Sequence, residues 1–106
     1  MNYIEHKGAR VPALGLGTYP MEGQQCYDAV RWALDIGYRH IDTAESYHNE
    51  DAVGRALEDS GIPRDEIFLT TKCAIFLATA ENVATEFSVS LDKLRTDYVD
   101  LLLYHW

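Results

Sequence analysis

The segment 40–50, HIDTAESYHNE, packs an aspartate, a tyrosine, two glutamates and two histidines into eleven residues, directly after the apolar text IGYR. Further on, Lys72 closes the run EIFLTTK and His105 closes DYVDLLLYH. A tyrosine is a poor acid near neutral pH, because a free phenol has a pKa of about 10. A neighbouring ammonium favours its phenolate, and a carboxylate paired with that ammonium fixes the position and compensates the charge. A nearby histidine can hydrogen-bond a substrate oxygen and hold it against the phenol. Asp42, Tyr47, Lys72 and His105 together therefore have the functional groups to donate a proton to a carbonyl oxygen. None of the four can donate a hydride, so the chemistry requires a nicotinamide or a flavin.

Each residue taken singly has a plainer reading. Tyr47 would be a loop aromatic, Lys72 a solvated strand end, Asp42 a cap for the next turn or helix, and His105 a structural histidine. His40, two positions before Asp42 on the same strand face, is assigned that structural class. A metal site built from His40, Asp42, Glu45 and His48 matches no known ligand spacing, and no metal is expected. Cys73 stands beside Lys72 with no activating base in the text, and is read as a small buried filler.

The elements that must hold these groups alternate along the chain. Strands are expected at 11–17 (VPALGLG), 38–42, 66–72 and 97–105. Between them lie three helical patterns, 23–37, 50–61 and 78–94, with Gly37 and Gly61 where a helix C-terminus favours positive φ, and Thr79 as an N-cap. The opening YIEHKGARV reads as a hairpin turning at Lys7-Gly8. Strands recurring every ~25 to 32 residues match one strand, one crossover and one helix of a parallel sheet. Asp42, Lys72 and His105 then end three successive strands at the edge where parallel α/β folds place catalysis. Periodicity alone leaves two closures open, a doubly wound sheet and the first half of an eightfold barrel. The first strand runs into GLGTY, which lacks the third glycine of a dinucleotide-binding fingerprint.

At 106 residues the chain is at most one domain, and 47% hydrophobic with 25% charged residues is an ordinary globular composition. A formal net charge of −8 argues against a nucleic-acid surface. No apolar run approaches the ~18 residues of a membrane span. Two cysteines far apart, Cys26 and Cys73, with no secretory start, lead to the expectation of a reduced, cytoplasmic protein.

The stretches GLGTY, GYRHIDTAESYHNE, IPRDEIFLTTK and LDKLRTDYVDLLLYHW, in this order, resemble the N-terminal part of an aldo-keto reductase. The resemblance covers almost the whole chain, 1–106. It implies a (β/α)8 TIM-type barrel of which this is the first half, and reduction of a small aldehyde or ketone with NADPH, NADH being the alternative. By motif, Tyr47 resembles the family's proton donor, Lys72 the lysine that lowers its pKa, Asp42 that lysine's partner and His105 the histidine that orients the carbonyl. Thr18 and Tyr19, with Asp42, fall where the family meets the nicotinamide end of its cofactor. Tyr19, Tyr47, His105 and Trp106 fall around the substrate. The text CAIFLATA departs from the family's more polar loop, so Ile75 and Phe76 are expected to change the pocket's shape. Arg95 stands where a glycine commonly ends a helix. The chain stops at Trp106, which leads to the expectation of a shortened form whose inward apolar face, drawn from Ile67, Leu69 or their neighbours and from 101–103, is uncovered. Such a chain would self-associate or need the missing half-barrel. The alternative is a non-catalytic interaction or regulatory module built on a half-barrel.

Overall fold

The computed structural model describes residues 2–74 and 79–105. The readings placed on Ile75, Phe76 and Trp106 lie outside the described residues.

Where apolar residues recur at helical spacing, helices form: α1 (Gly23–Asp35), α2 (Glu50–Ser60) and α3 (Ala80–Leu94). Cys26, Val30, Ala33 and Leu34 of α1 and Ala52, Val53, Ala56 and Leu57 of α2 are buried, which is one stripe on each helix. Gly37 (φ 108) and Gly61 (φ 70) follow these helices in the positive-φ conformation their place in the sequence requires. Thr79 caps α3 by accepting the Asn82 N–H at 3.2 Å. Arg95 adopts φ 56 at the end of α3, so a side chain occupies a left-handed position that glycine would fill with less strain.

A two-stranded antiparallel hairpin, β1 (Tyr3–His6) and β2 (Ala9–Pro12), precedes a parallel sheet. The hairpin turns at Lys7-Gly8, both with positive φ. The sheet contains β3 (Leu16–Gly17), β4 (His40–Asp42), β5 (Phe68–Ala74) and β6 (Leu101–His105), hydrogen-bonded in sequence order. This is the order of consecutive strands in a (β/α)8 barrel.

Several strand limits differ from the sequence-based expectation, each for a local reason. The run 11–17 divides between β2 and β3: Ala13 N–H makes a bond to the hairpin partner, to Asn2 O at 2.8 Å, and the chain then crosses to the parallel sheet, which it joins at Leu16. Residues 64–66 form a 3-10 turn, with Glu66 N–H donating to Pro63 O, so β5 begins at Phe68. It continues past Lys72 to Ala74, which pairs with His105, so Lys72 stands inside the strand and not at its end. Residues 97–100 turn instead of extending. There the Asp100 carboxylate accepts the Leu69 N–H at 2.8 Å and the Arg64 guanidinium at 3.2 Å, and Arg64 also donates to Tyr98 O, Ile67 O and Thr96 Oγ1.

The core lies between the sheet and the helices. Ile41, Ile67, Leu69 and Leu94 close against the buried stripes of α1 and α2. Ile67 and Leu69 therefore face the helices, which corrects their expected place on the inward face. The other side of the sheet carries His40, Asp42, Thr70, Lys72, Leu101 and Leu103, which line an open recess of about 460 Å³ together with Ile4 and Val11 of the hairpin. Leu101 and Leu103 are each 41% exposed there. Among the described residues, no helix is long and apolar enough to cross a membrane.

Candidate active site

Strand register sets the first two groups. Asp42 pairs with Thr70, and Lys72, two residues on, projects from the same face as Thr70. Its Nζ reaches back to Asp42 Oδ1 at 2.6 Å. Beyond β4 the chain makes a single 3-10 turn, Glu45–Tyr47, and leaves it through His48 in the left-handed conformation at φ 55. That turn brings Tyr47 Oη to 3.3 Å from Lys72 Nζ. The third proton of the ammonium goes to Thr43 O at 3.0 Å. An ammonium has three donors, and here each has an acceptor, so Nζ is fixed in direction as well as in position.

His105, the last residue of β6, stands edge-on to Tyr47, with ring centroids 5.7 Å apart and an interplanar angle of 88°. Its Nδ1 lies 3.2 Å from Ser46 Oγ. Tyr19 also packs on Tyr47, with centroids 5.1 Å apart, and is itself 69% exposed. Tyr19, Ser46, Tyr47 and His105 line a recess of about 320 Å³. The structure thus brings together Asp42, Tyr47, Lys72, His105 and Tyr19 from four different segments of the chain.

Thr18 differs. It is fully buried, with its hydroxyl turned toward the Asn49 side chain at 3.5 Å, so its side chain is closed off while Tyr19 beside it is open. Ser46 was missed by sequence reasoning: a serine between a glutamate and a tyrosine carries no signal, and only the return of β6 brings His105 to it. His40 is engaged on both nitrogens, with Pro12 O at 3.3 Å and Thr70 Oγ1 at 3.1 Å. His48 is exposed, and no three His, Cys, Asp or Glu side chains converge among the described residues. Burial pushes the Cys73 thiol above its ordinary pKa. Burial and then the Asp51 charge push Cys26 up to about 11. In both cysteines burial disfavours the thiolate, the reactive form.

The likenesses of the chain agree with this geometry. A sequence model of the aldo/keto reductase family matches residues 13–106. The chain is 50% identical over 99 residues to glycerol 2-dehydrogenase (NADP(+)) of Saccharomyces cerevisiae, covering 93% of this chain and 31% of that protein. It is 47% identical over 96 residues to methylglyoxal reductase DkgB of Salmonella typhi, covering 91% of this chain and 36% of that one. An aldo/keto reductase structure from Brucella melitensis superposes with a TM-score of 0.95 at 45% identity, over 99% of this chain and 40% of the other. The chain spans about a third of the length of the curated relatives it matches. Four parallel strands in barrel order, an Asp-Lys-Tyr-His constellation at their C-terminal edge and a family match over residues 13–106 lead to one conclusion: the chain belongs to the aldo/keto reductase family.

Proposed function

We propose that the whole protein reduces the carbonyl group of small aldehydes or ketones to alcohols, using NADPH, with Tyr47 as the proton donor. The observation that carries this reading is the Lys72 ammonium, held at once by Asp42, Thr43 O and the Tyr47 hydroxyl. The printed activities of the yeast and Salmonella relatives, an NADP(+)-dependent dehydrogenase and a methylglyoxal reductase, support the same class.

The residues present fit the nicotinamide end of such a cofactor. Asp42 keeps 40% of its side chain exposed on the recess it shares with Lys72, and Tyr19 is open on the neighbouring recess it shares with Tyr47 and His105. Asp42 and Tyr19 would hold the ring end there, and the bound cofactor would supply the hydride to the carbonyl carbon. Everything else in the step belongs to the chain. Tyr47 Oη gives its proton to the carbonyl oxygen, and the Lys72 ammonium stabilises the negative charge left on the phenol oxygen. Asp42 keeps that ammonium from swinging toward solvent. Ser46 fixes one nitrogen of His105, leaving the other for the substrate oxygen. Cys26 and Cys73 are free and buried, which is compatible with the cytoplasmic location we propose.

The test is consumption of reduced dinucleotide by the whole protein in the presence of short aldehydes, including methylglyoxal. Faster consumption with NADPH than with NADH, strictly dependent on the carbonyl compound, is the expected result. No consumption with any aldehyde or ketone would leave the non-catalytic module as the better reading.

A further inference from the structure

We infer that Asn49 is a positioning residue that holds the turn carrying Tyr19 against Tyr47; this rests on the reductase reading for its kinetic consequence but not for its structural content. Asn49 immediately precedes α2, where an asparagine ordinarily caps the helix with its side chain. Here it makes no such cap. Its amide is instead fully buried and turned away, with Nδ2 donating to Thr18 O at 3.1 Å and to Met21 O at 2.9 Å. Its Oδ1 accepts the Thr43 hydroxyl at 2.8 Å. The two carbonyls bracket the turn in which Tyr19 lies, and Met21 N–H closes that turn on Thr18 O at 2.9 Å.

The same amide therefore ties together the two segments that meet at the recess. Thr43, which orients Asn49, also gives its carbonyl to Lys72 Nζ. Only His48 separates Asn49 from Tyr47. A displaced amide would leave Thr18 O and Met21 O without this buried donor and release the Tyr19 ring from its place 5.1 Å from Tyr47. A primary amide suits the position because two donors and one acceptor are used from a single group; aspartate would set carboxylate oxygen against two carbonyls.

The experiment uses the whole protein with Asn49→Asp and the milder Thr43→Val, which removes only the hydroxyl that orients the amide. Hydrogen exchange followed by mass spectrometry reads the segment 18–22 directly. Both variants should exchange there about tenfold faster or more, with the α2 amides of 53–57 unchanged. Unchanged exchange in 18–22 would overturn the inference, and so would a uniform rise across the molecule in Thr43→Val, whether or not Asn49→Asp folds. Kinetics then test the route. KM for the carbonyl substrate should rise about tenfold in Asn49→Asp with kcat within about twofold, and this rise should vanish when Tyr19→Ala is already present. An equal rise in both backgrounds would show that Asn49 does not act through Tyr19. A wild-type protein without reductase activity would sink the reductase reading alone, leaving the exchange result to decide the position of Asn49.

Discussion

At the scale of single residues, the site depends on one cation with no free hydrogen-bonding capacity. Lys72 Nζ spends its three donors on Asp42, Thr43 O and Tyr47 Oη, so on the proposed mechanism the electrostatic support it would give the phenol is preorganised. Replacing it with methionine keeps the stem and removes the charge. In Lys72→Met, kcat should fall by about a hundredfold or more with little change in dinucleotide affinity, as read from steady-state rates and a fluorescence titration. A rate that merely halves would mark the lysine as structural. Glu45, in the turn that delivers Tyr47, behaves oppositely. Burial first, and the adjoining Glu86 carboxyl second, raise its pKa above the ordinary carboxylate value, with Glu50 adding to this and Lys93 opposing it. The folded state therefore keeps this proton to higher pH than the unfolded chain does. Stability is fully present below the unfolded value and declines as the pH climbs through the raised folded one. Glu45→Gln should flatten that decline, so melting curves of variant and wild type should separate in the variant's favour as the pH is raised toward neutrality. Parallel curves would refute it. Asp42, Tyr47, Lys72 and His105 could be singled out in the sequence because three of them read as strand ends and all four matched a family's motif; the structure gathers them, with Lys72 inside β5 rather than at its end. Ser46 and Asn49 could not be singled out, since their partners come from 59 and 31 residues away.

At the scale of elements, strand and helix existence could be read from periodicity, while the limits were decided by contacts between segments. The Arg64 guanidinium gathers the 96–100 turn, which shortens the last strand to Leu101–His105 despite a text that reads as continuously extended. A second such contact is the approach of α2 to α3. A β-carbon on Gly54 would collide with the backbone of Lys93 and Leu94. Inside α2 a glycine looks unfavourable to the helix, and only the neighbour explains it. Gly54→Ala should therefore destabilise the protein by roughly 1 to 3 kcal/mol despite alanine's better helix propensity, measured by denaturant unfolding. A stabilised variant would mean that the two helices can separate at little cost.

At the scale of the whole molecule, the 106 residues form half of a barrel's strand order with its inner side open. Leu101 and Leu103 share that side with the ionisable groups. Each large apolar side chain left uncovered forgoes roughly 1.5 to 3 kcal/mol of burial, a large share of the about 5 to 15 kcal/mol that keeps a domain folded. By itself the 106-residue chain should therefore elute as an associated species in size-exclusion chromatography with light scattering; a stable monomer that turns over an aldehyde would contradict this. The sequence disclosed the barrel resemblance and placed the 101–103 run on the inward face, where Leu101 and Leu103 lie, but did not settle which pleat of β5 joins them. Ile67 and Leu69 belong to the helix-covered layer because Thr70 and Lys72 take the opposite pleat. The central claim is that this third of the family's length contains the group that protonates the carbonyl. The most direct measurement is Tyr47→Phe in the whole protein, which removes one hydroxyl from the site. Aldehyde-dependent NADPH consumption should fall by about a thousandfold while NADPH binding stays within about twofold of wild type. Retention of more than a few per cent of the wild-type rate would assign the proton to another group and contradict the account.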